Sequence, residues 1–341
     1  MIAAVAFSTP GKTILLGEHA AVFGYPAIVA AVGSRMTVAV RAAPGPTVRL
    51  RMPTFAFRGE RPWDEILPLA ETEPDEPVRK AGELAWFALA EAAREAPRPL
   101  AGLDVTVESA IPPGAGFGSS AALAVAVVAA VRRALGGAGD RESIAGAALA
   151  VERRQHGRPS GVDVEAVLRG GVLWCAREAG ALACDALAPS PSVLGSIRLY
   201  HSGSPRETTG EMVAEVRRSA ERDEPRIRRA LDAIGEATIA GRSALENGDP
   251  AALAPPVRRA EAALEALGVV PAGVREAIRA IEFSGGAAKV SGAGGLTGAG
   301  AGLVLVVHPD PSWHDRFRVP AGWTAHAAAL GAAGLRAESP A

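Results

Sequence analysis

The stretch IPPGAGFGSSAALAVAVVAAV, Ile111 to Val131, sets a proline-led glycine turn directly against an unbroken Ala/Val-rich segment. A chain that carries it must bury the segment and bend sharply just before it. Gly114, Gly116 and Gly118 lack a Cβ, so the backbone there can take positive φ and approach a ligand closely, and Ser119 and Ser120 stand where a helix would begin. Such a turn presents unpaired N–H groups at the positive end of a helix dipole, which favours an anion, most often a phosphate. A serine hydroxyl in the same place can ligate the magnesium that accompanies a nucleotide. The alternative is a glycine turn that only caps a buried helix. No lysine follows Gly118, as a GxxxxGKS/T loop requires, and the GxGxxG dinucleotide pattern does not fit either. A phosphate bound here belongs to a different nucleotide fold.

The flanking sequence supports the anion reading, because the strand-like LDVTVES, Leu103 to Ser109, delivers the chain to the turn. Strand, glycine turn and helix are the context that an anion site needs. Earlier, Ala3 to Phe7 reads as a strand and Ser8 to Gly11 as a turn, with Lys12 leading into a second apolar strand. A lysine held there can run its stem to water, or it can neutralise phosphate charge in a site. Glu18 and His19 follow side by side, and His19 alone reads as structural. Met36 to Met52 reads as antiparallel strands, Pro53 to Pro77 as an irregular acidic loop, and Val78 to Ala96 as an amphipathic helix.

Asp140 is placed to N-cap a helix reaching Arg154, which puts Glu152 near the helix C-terminus, where a carboxylate is unfavourable without a cation. Arg153, Arg154 or a metal ion would serve. The segment HGRPSGVD then makes a tight turn that presents Asp163, either as a turn-capping aspartate or as a catalytic carboxylate. Further on, helices are expected from Thr209 through Asn247, from Ala251 to Leu267 and from Ala272 to Ile281. A second glycine-rich loop lies between Lys289 and Gly302 and runs into the apolar strand Leu303 to Val307. Two such loops far apart in sequence suggest one cleft lined from both halves.

At 341 residues, 48% hydrophobic and 21% charged with net charge −1, the chain has material for two domains and no basic surface for nucleic acid. The start, MIAAVAFSTPGK, does not read as a signal peptide, and the Ala/Val run is broken by Arg132 and Arg133, so no membrane partner is expected. Cys175 and Cys184 lack metal-ligand spacing and are expected as buried small apolar residues in a reducing compartment, the cytoplasm.

PGKTILLGEHAAVFG, PPGAGFGSSAA and KVSGAGG, in this order and at these separations, resemble the three motifs of the GHMP small-molecule kinases. Within that family GEHAAVFG and HGRPSGVD are most similar to the mevalonate kinases, as is RRAEAALEALGVV before the third motif. The resemblance implies an α+β, two-domain GHMP kinase fold. Residues 1–187 would form a ribosomal protein S5 domain 2-like N-terminal domain and 188–341 a ferredoxin-like C-terminal domain.

It also implies a chemistry: transfer of the ATP γ-phosphate to the primary hydroxyl of mevalonate, with Mg2+. Residue by residue, Asp163 would orient or deprotonate the acceptor hydroxyl and Lys12 would stabilise the developing charge. Pro113, Gly114, Ala115, Gly116, Phe117, Gly118, Ser119 and Ser120 would wrap the phosphates of ATP, and Ser120 and Glu152 would hold the metal. Glu18, His19, Thr209, Gly292, Ala293 and Gly294 would border the acceptor, Thr208 being the neighbour that competes with Thr209 for its match. A homodimer is the assembly the resemblance suggests.

The third motif departs from the family's usual GAGGGG, reading GAGGLTGAGAG with Leu296-Thr297 interposed, and the form KVSGAGG leans towards phosphomevalonate kinases. A phosphorylated acceptor would need a basic cluster, for which Arg158 and Arg169 beside the Asp163 turn are candidates. The alternatives are therefore a phosphomevalonate or sugar kinase and, in another class, a non-catalytic nucleotide-binding regulator. Retention of Lys12, Ser120, Glu152 and Asp163 argues against the regulator.

Overall fold

The computed structural model describes residues 4–339 except 75, 98, 138, 158 and 311. The chain opens with β1 (Val5–Leu16), passes through a 3-10 turn at Ala20–Phe23, and returns as β2 (Ala27–Ala43). The expected turn at Ser8–Gly11 is instead the interior of one continuous strand. Its register shifts between Pro10 and Gly11, an irregularity that absorbs the proline, and the opposite neighbour of β1 reaches only Ser8.

β2 pairs along one edge with β1, and its length of 17 residues lets the other edge hold two partners in succession. β3 (Thr47–Met52) and β4 (Phe57–Pro62) form a hairpin, so part of the segment expected to be irregular is a strand; it leads to the short α1 (Trp63–Ile66). Next come α2 (Ala81–Ala93), β5 (Gly102–Ser109), α3 (Ser119–Ala134), α4 (Arg141–His156) and α5 (Val162–Arg169). Asp140 caps α4, its side chain accepting from the Ser143 N–H at 2.8 Å, as its sequence position predicts. The Ala/Val segment is α3, buried nearly all round against β1, β2, α2 and α4, the environment its uniform small apolar surface requires.

β6 (Val172–Glu178) and β7 (Ala181–Leu187) extend this sheet, whose main path runs β5 beside β2 and parallel to β3. Cys175 and Cys184 sit opposite each other on β6 and β7 and are joined as a disulfide. They are buried as expected, but the register turns two small apolar residues into a bonded pair.

α6 (Pro191–Gly195) leads into a second, antiparallel sheet through β8 (Ile197–His201), and α7 (Thr209–Arg222), α8 (Glu224–Asn247), α9 (Pro250–Leu267) and α10 (Ala272–Phe283) follow. β9 (Ala287–Ser291), β10 (Leu303–Val307), the short α11 (Trp313–Arg316) and β11 (Thr324–His326) complete it in the order β11-β8-β10-β9. β10 is apolar throughout because both its faces are buried: Leu303, Leu305 and Val307 join the core of the first sheet, and Val304 and Val306 join the core under α7–α10. The chain then crosses back, and β12 (Arg336–Glu338) pairs with β1. Among the described residues no helix is long and apolar enough to cross a membrane.

Candidate active site

A cleft of about 660 Å³ lies between the two sheets and is lined by both halves of the chain. One wall is the turn before α3. Gly114, Gly116 and Gly118 all have positive φ (67°, 90° and 67°), and Gly118 is the N-cap of α3 with no side chain satisfying the first-turn N–H groups. No capping side chain competes for those donors, an arrangement that suits an anion. Gly118 has a second reason to be glycine: a Cβ there would stand 2.6 Å from Lys12 Cγ. The Lys12 N–H donates to the Phe117 carbonyl at 2.9 Å, which ties the turn to β1.

Lys12 is buried, and its Nζ lies 2.9 Å from Asp163 Oδ2 in the first turn of α5. Glu152 approaches from the end of α4. It is 1% exposed, and its pKa is pushed up to about 8 by burial and by the Asp163 charge, against a hydrogen bond from Ser120 and the charge of Lys12. Glu152 Oε1 has no partner in the protein. Neither arginine that could have paired with it does so: Arg153 is exposed, while Arg154 donates to the Ala70 carbonyl and reaches Glu91. An orphaned buried carboxylate oxygen beside a serine hydroxyl and a second carboxylate, facing a phosphate-sized nest, fits a hard divalent cation such as Mg2+.

His156 and Gln155 also line the cleft, and sequence reasoning missed both. His156 Nε2 is 3.7 Å from Glu152 Oε2, and burial holds the imidazole below its ordinary pKa. Their signal was the spacing of Glu152 and His156, four apart and hence on one face of α4.

Glu18 and His19 reach across to the third motif. Glu18 is buried in contact with the Lys289 ammonium, which also donates to the Val290 carbonyl at 3.0 Å. Burial raises the Glu18 pKa and Lys289 opposes that rise. His19 has φ 57°, unusual for a residue with a Cβ, and its Nε2 lies 3.0 Å from the Ala293 carbonyl. A carbonyl only accepts, so Nε2 carries the proton; burial keeps the ring neutral. Thr13 and Ser291 hydroxyls meet at 2.8 Å and add a further link between β1 and β9.

On the remaining wall both Thr208 and Thr209 line the cleft; Thr208 caps α7, its hydroxyl and N–H both engaged with Glu211 in a capping box, and Thr209 is the first helical residue. Gly292, Ala293 and Gly294 line it too. Arg169 turns away, donating to the Cys184 carbonyl, and Arg158 lies outside the described residues.

Residues 83–171 match the profile of the GHMP kinases N terminal domain. The chain is 30% identical over 288 residues to a mevalonate kinase of Archaeoglobus fulgidus, covering 84% of this chain and 88% of that one. Its fold matches the Methanococcus jannaschii mevalonate kinase with a TM-score of 0.75 at 20% identity, over 96% of this chain and 98% of that chain. It also matches a Lactococcus lactis galactokinase complexed with galactose, with a TM-score of 0.76 at 16% identity, over 98% and 95%.

Proposed function

The chain belongs to the GHMP kinase family, and we propose that it transfers the γ-phosphate of ATP to the primary hydroxyl of mevalonate, giving 5-phosphomevalonate. The observation that carries this reading is the contact of Lys12 with Asp163 beside the uncapped start of α3. A cation, a carboxylate and a phosphate nest meeting at one point are what phosphoryl transfer to an alcohol needs, since positioning and electrostatics supply most of its rate enhancement. The fold is shared with a galactokinase, so the acceptor is argued from the similarity in sequence to mevalonate kinases.

In this reading the glycine turn from Pro113 to Ser120 holds the phosphates through backbone N–H groups. Phe55, Val78 and Leu84 give the same cleft an apolar wall suited to the base. Asp163 accepts a hydrogen bond, and then the proton, from the acceptor hydroxyl, while Lys12 stabilises the negative charge that develops on the attacking oxygen. Ser120 and Glu152 would hold Mg2+, which neutralises charge on the phosphate oxygens when bound. Thr209 borders the transferred phosphate, because the neighbouring Thr208 hydroxyl is committed to its helix cap. Glu18, His19 and the Gly292–Gly294 turn form the acceptor end. We divide the chain at residues 1–187 and 188–341, with β12 contributed back to the first sheet.

The test is ATP-to-ADP turnover with magnesium, comparing mevalonate, 5-phosphomevalonate, galactose and homoserine. Turnover selective for mevalonate supports the proposal. Selective turnover with 5-phosphomevalonate would move further basic side chains of the cleft, among them Arg79, Lys80 and Arg206, into the acceptor site and replace it.

A further inference from the structure

The two residues interposed in the third glycine motif have a partner in this fold. The N–H of Leu296 donates to Glu207 Oε2 at 3.2 Å, and the N–H and hydroxyl of Thr297 donate to Glu207 Oε1 at 3.0 and 2.5 Å. Successive backbone N–H groups closing on one carboxylate make an anion nest, here filled from within the chain. Burial raises the Glu207 pKa, but hydrogen bonds from the Thr297 hydroxyl, from its own N–H and from the Leu296 and Thr297 N–H groups outweigh it, so the carboxyl lies below its ordinary value and is charged.

Among the described residues, no other hydrogen bond holds the tip of this loop, 296–299. Its roots are pinned, Gly295 N–H to the Val269 carbonyl at 2.9 Å and Ala301 N–H to Ser202 Oγ at 3.0 Å. Among the described hydrogen bonds, residues 296–300 make no others; 296–299 are exposed, Leu296 by 43%, and burial begins again only at Gly300, which packs on Gly203. The root at Gly295 adjoins Ala293 and Gly294, and the Ala293 carbonyl is what His19 grips. Beyond Glu207 the chain enters the Thr208–Glu211 capping box, and Glu211 reaches Arg79 of the first half at 3.0 Å.

We propose that Glu207 is a positioning residue for the acceptor end of the cleft: it clamps the Leu296-Thr297 insertion onto the start of α7 and thereby holds the Ala293 turn against His19. The kinetic part of this proposal rests on the kinase reading; the structural part does not. Charge-assisted hydrogen bonds are stronger than neutral ones, so loss of three on one carboxylate has a measurable cost.

The experiment compares Glu207→Ala, Glu207→Gln and Thr297→Val with the unaltered full chain, by steady-state kinetics and by hydrogen exchange. Glu207→Ala is expected to raise the acceptor KM about tenfold and to speed amide exchange over 296–300 by about tenfold, with kcat and the ATP KM within about twofold. Glu207→Gln keeps an accepting oxygen and falls between, and Thr297→Val gives a smaller change of the same kind. Equal increases in both KM values, or a lower unfolding midpoint with unchanged exchange over 296–300, would overturn the proposal. If the unaltered protein does not turn over mevalonate, the functional reading fails, and the exchange measurement decides the clamp by itself.

Discussion

Lys12 Nζ and Asp163 Oδ2 stand 2.9 Å apart, the lysine delivered by β1 and the aspartate by the first turn of α5. The two side chains are not equivalent: Asp163 keeps 31% of its exposure and Lys12 only 7%. The carboxylate is therefore the more accessible of the two from the cleft, and the lysine stem is sealed beneath Gly118.

Asp163→Asn keeps the shape and removes the proton acceptor. Turnover is expected to fall by about 100- to 10,000-fold, the range for a positioned general base, with binding of a fluorescent ATP analogue little changed. Near-normal turnover would remove Asp163 from the chemistry.

Lys12→Met is expected to lower kcat roughly 100-fold or more, with a smaller effect on the ATP KM, because its charge matters most when the attacking oxygen becomes negative. Initial-rate measurements over a range of ATP concentrations separate the two. A change confined to the ATP KM would make Lys12 a phosphate clamp.

Glu152→Gln retains the size of the side chain and removes its charge. Binding of Mn2+ in the presence of ATP, followed by electron paramagnetic resonance, is expected to weaken by at least about tenfold. Unchanged Mn2+ affinity would exclude Glu152 as a ligand.

The buried pair of Glu18 and Lys289 joins the two halves of the chain. Lys289→Met leaves a carboxylate buried without its cation and is expected to cost about 3–5 kcal/mol in denaturant unfolding. Adding Glu18→Gln to Lys289→Met removes that charge and should recover most of the loss. A double variant no more stable than the single one would show that the pair acts through packing alone.

Glu261 accepts from the Val290 N–H at 2.9 Å beneath β9, and burial, aided by Glu265 and Glu18 and opposed by that hydrogen bond and by Lys289, pushes its pKa up to about 8 from 4.5. Between those values the folded chain keeps a proton that the unfolded chain has released. The stability this group contributes is therefore full at acid pH and is lost as pH rises towards 8. Glu261→Gln can still accept from Val290 and does not titrate, so at pH 8 it is expected to be more stable than the unaltered chain by roughly 2–4 kcal/mol, with little difference near pH 4. Urea midpoints at the two pH values provide the check, and a pH-independent difference would rule out the titration.

What the sequence by itself determined was local. The glycines before Ser119 made a positive-φ turn, the Ala/Val run could only be a buried helix, and Asp140 could cap α4 because a cap needs only its own first turn. Many of the residues that line the cleft were legible for the same reason, as they sit in short motifs whose backbone shape follows from a few neighbours, whereas sequence reasoning missed Gln155 and His156, which line it too.

The tertiary structure alone decided which of these residues meet. Lys12 with Asp163, Glu18 with Lys289, Glu207 with Thr297 and Cys175 with Cys184 are pairings set by strand register and by how two sheets pack. Arg154 shows the contrast: adjacency in sequence offered it to Glu152, but packing turned it towards Ala70 and Glu91. Local periodicity says which face a side chain occupies, not what stands opposite. That partner is chosen when distant segments share one core, because a buried charge or donor is stable only where the rest of the fold brings it a complement.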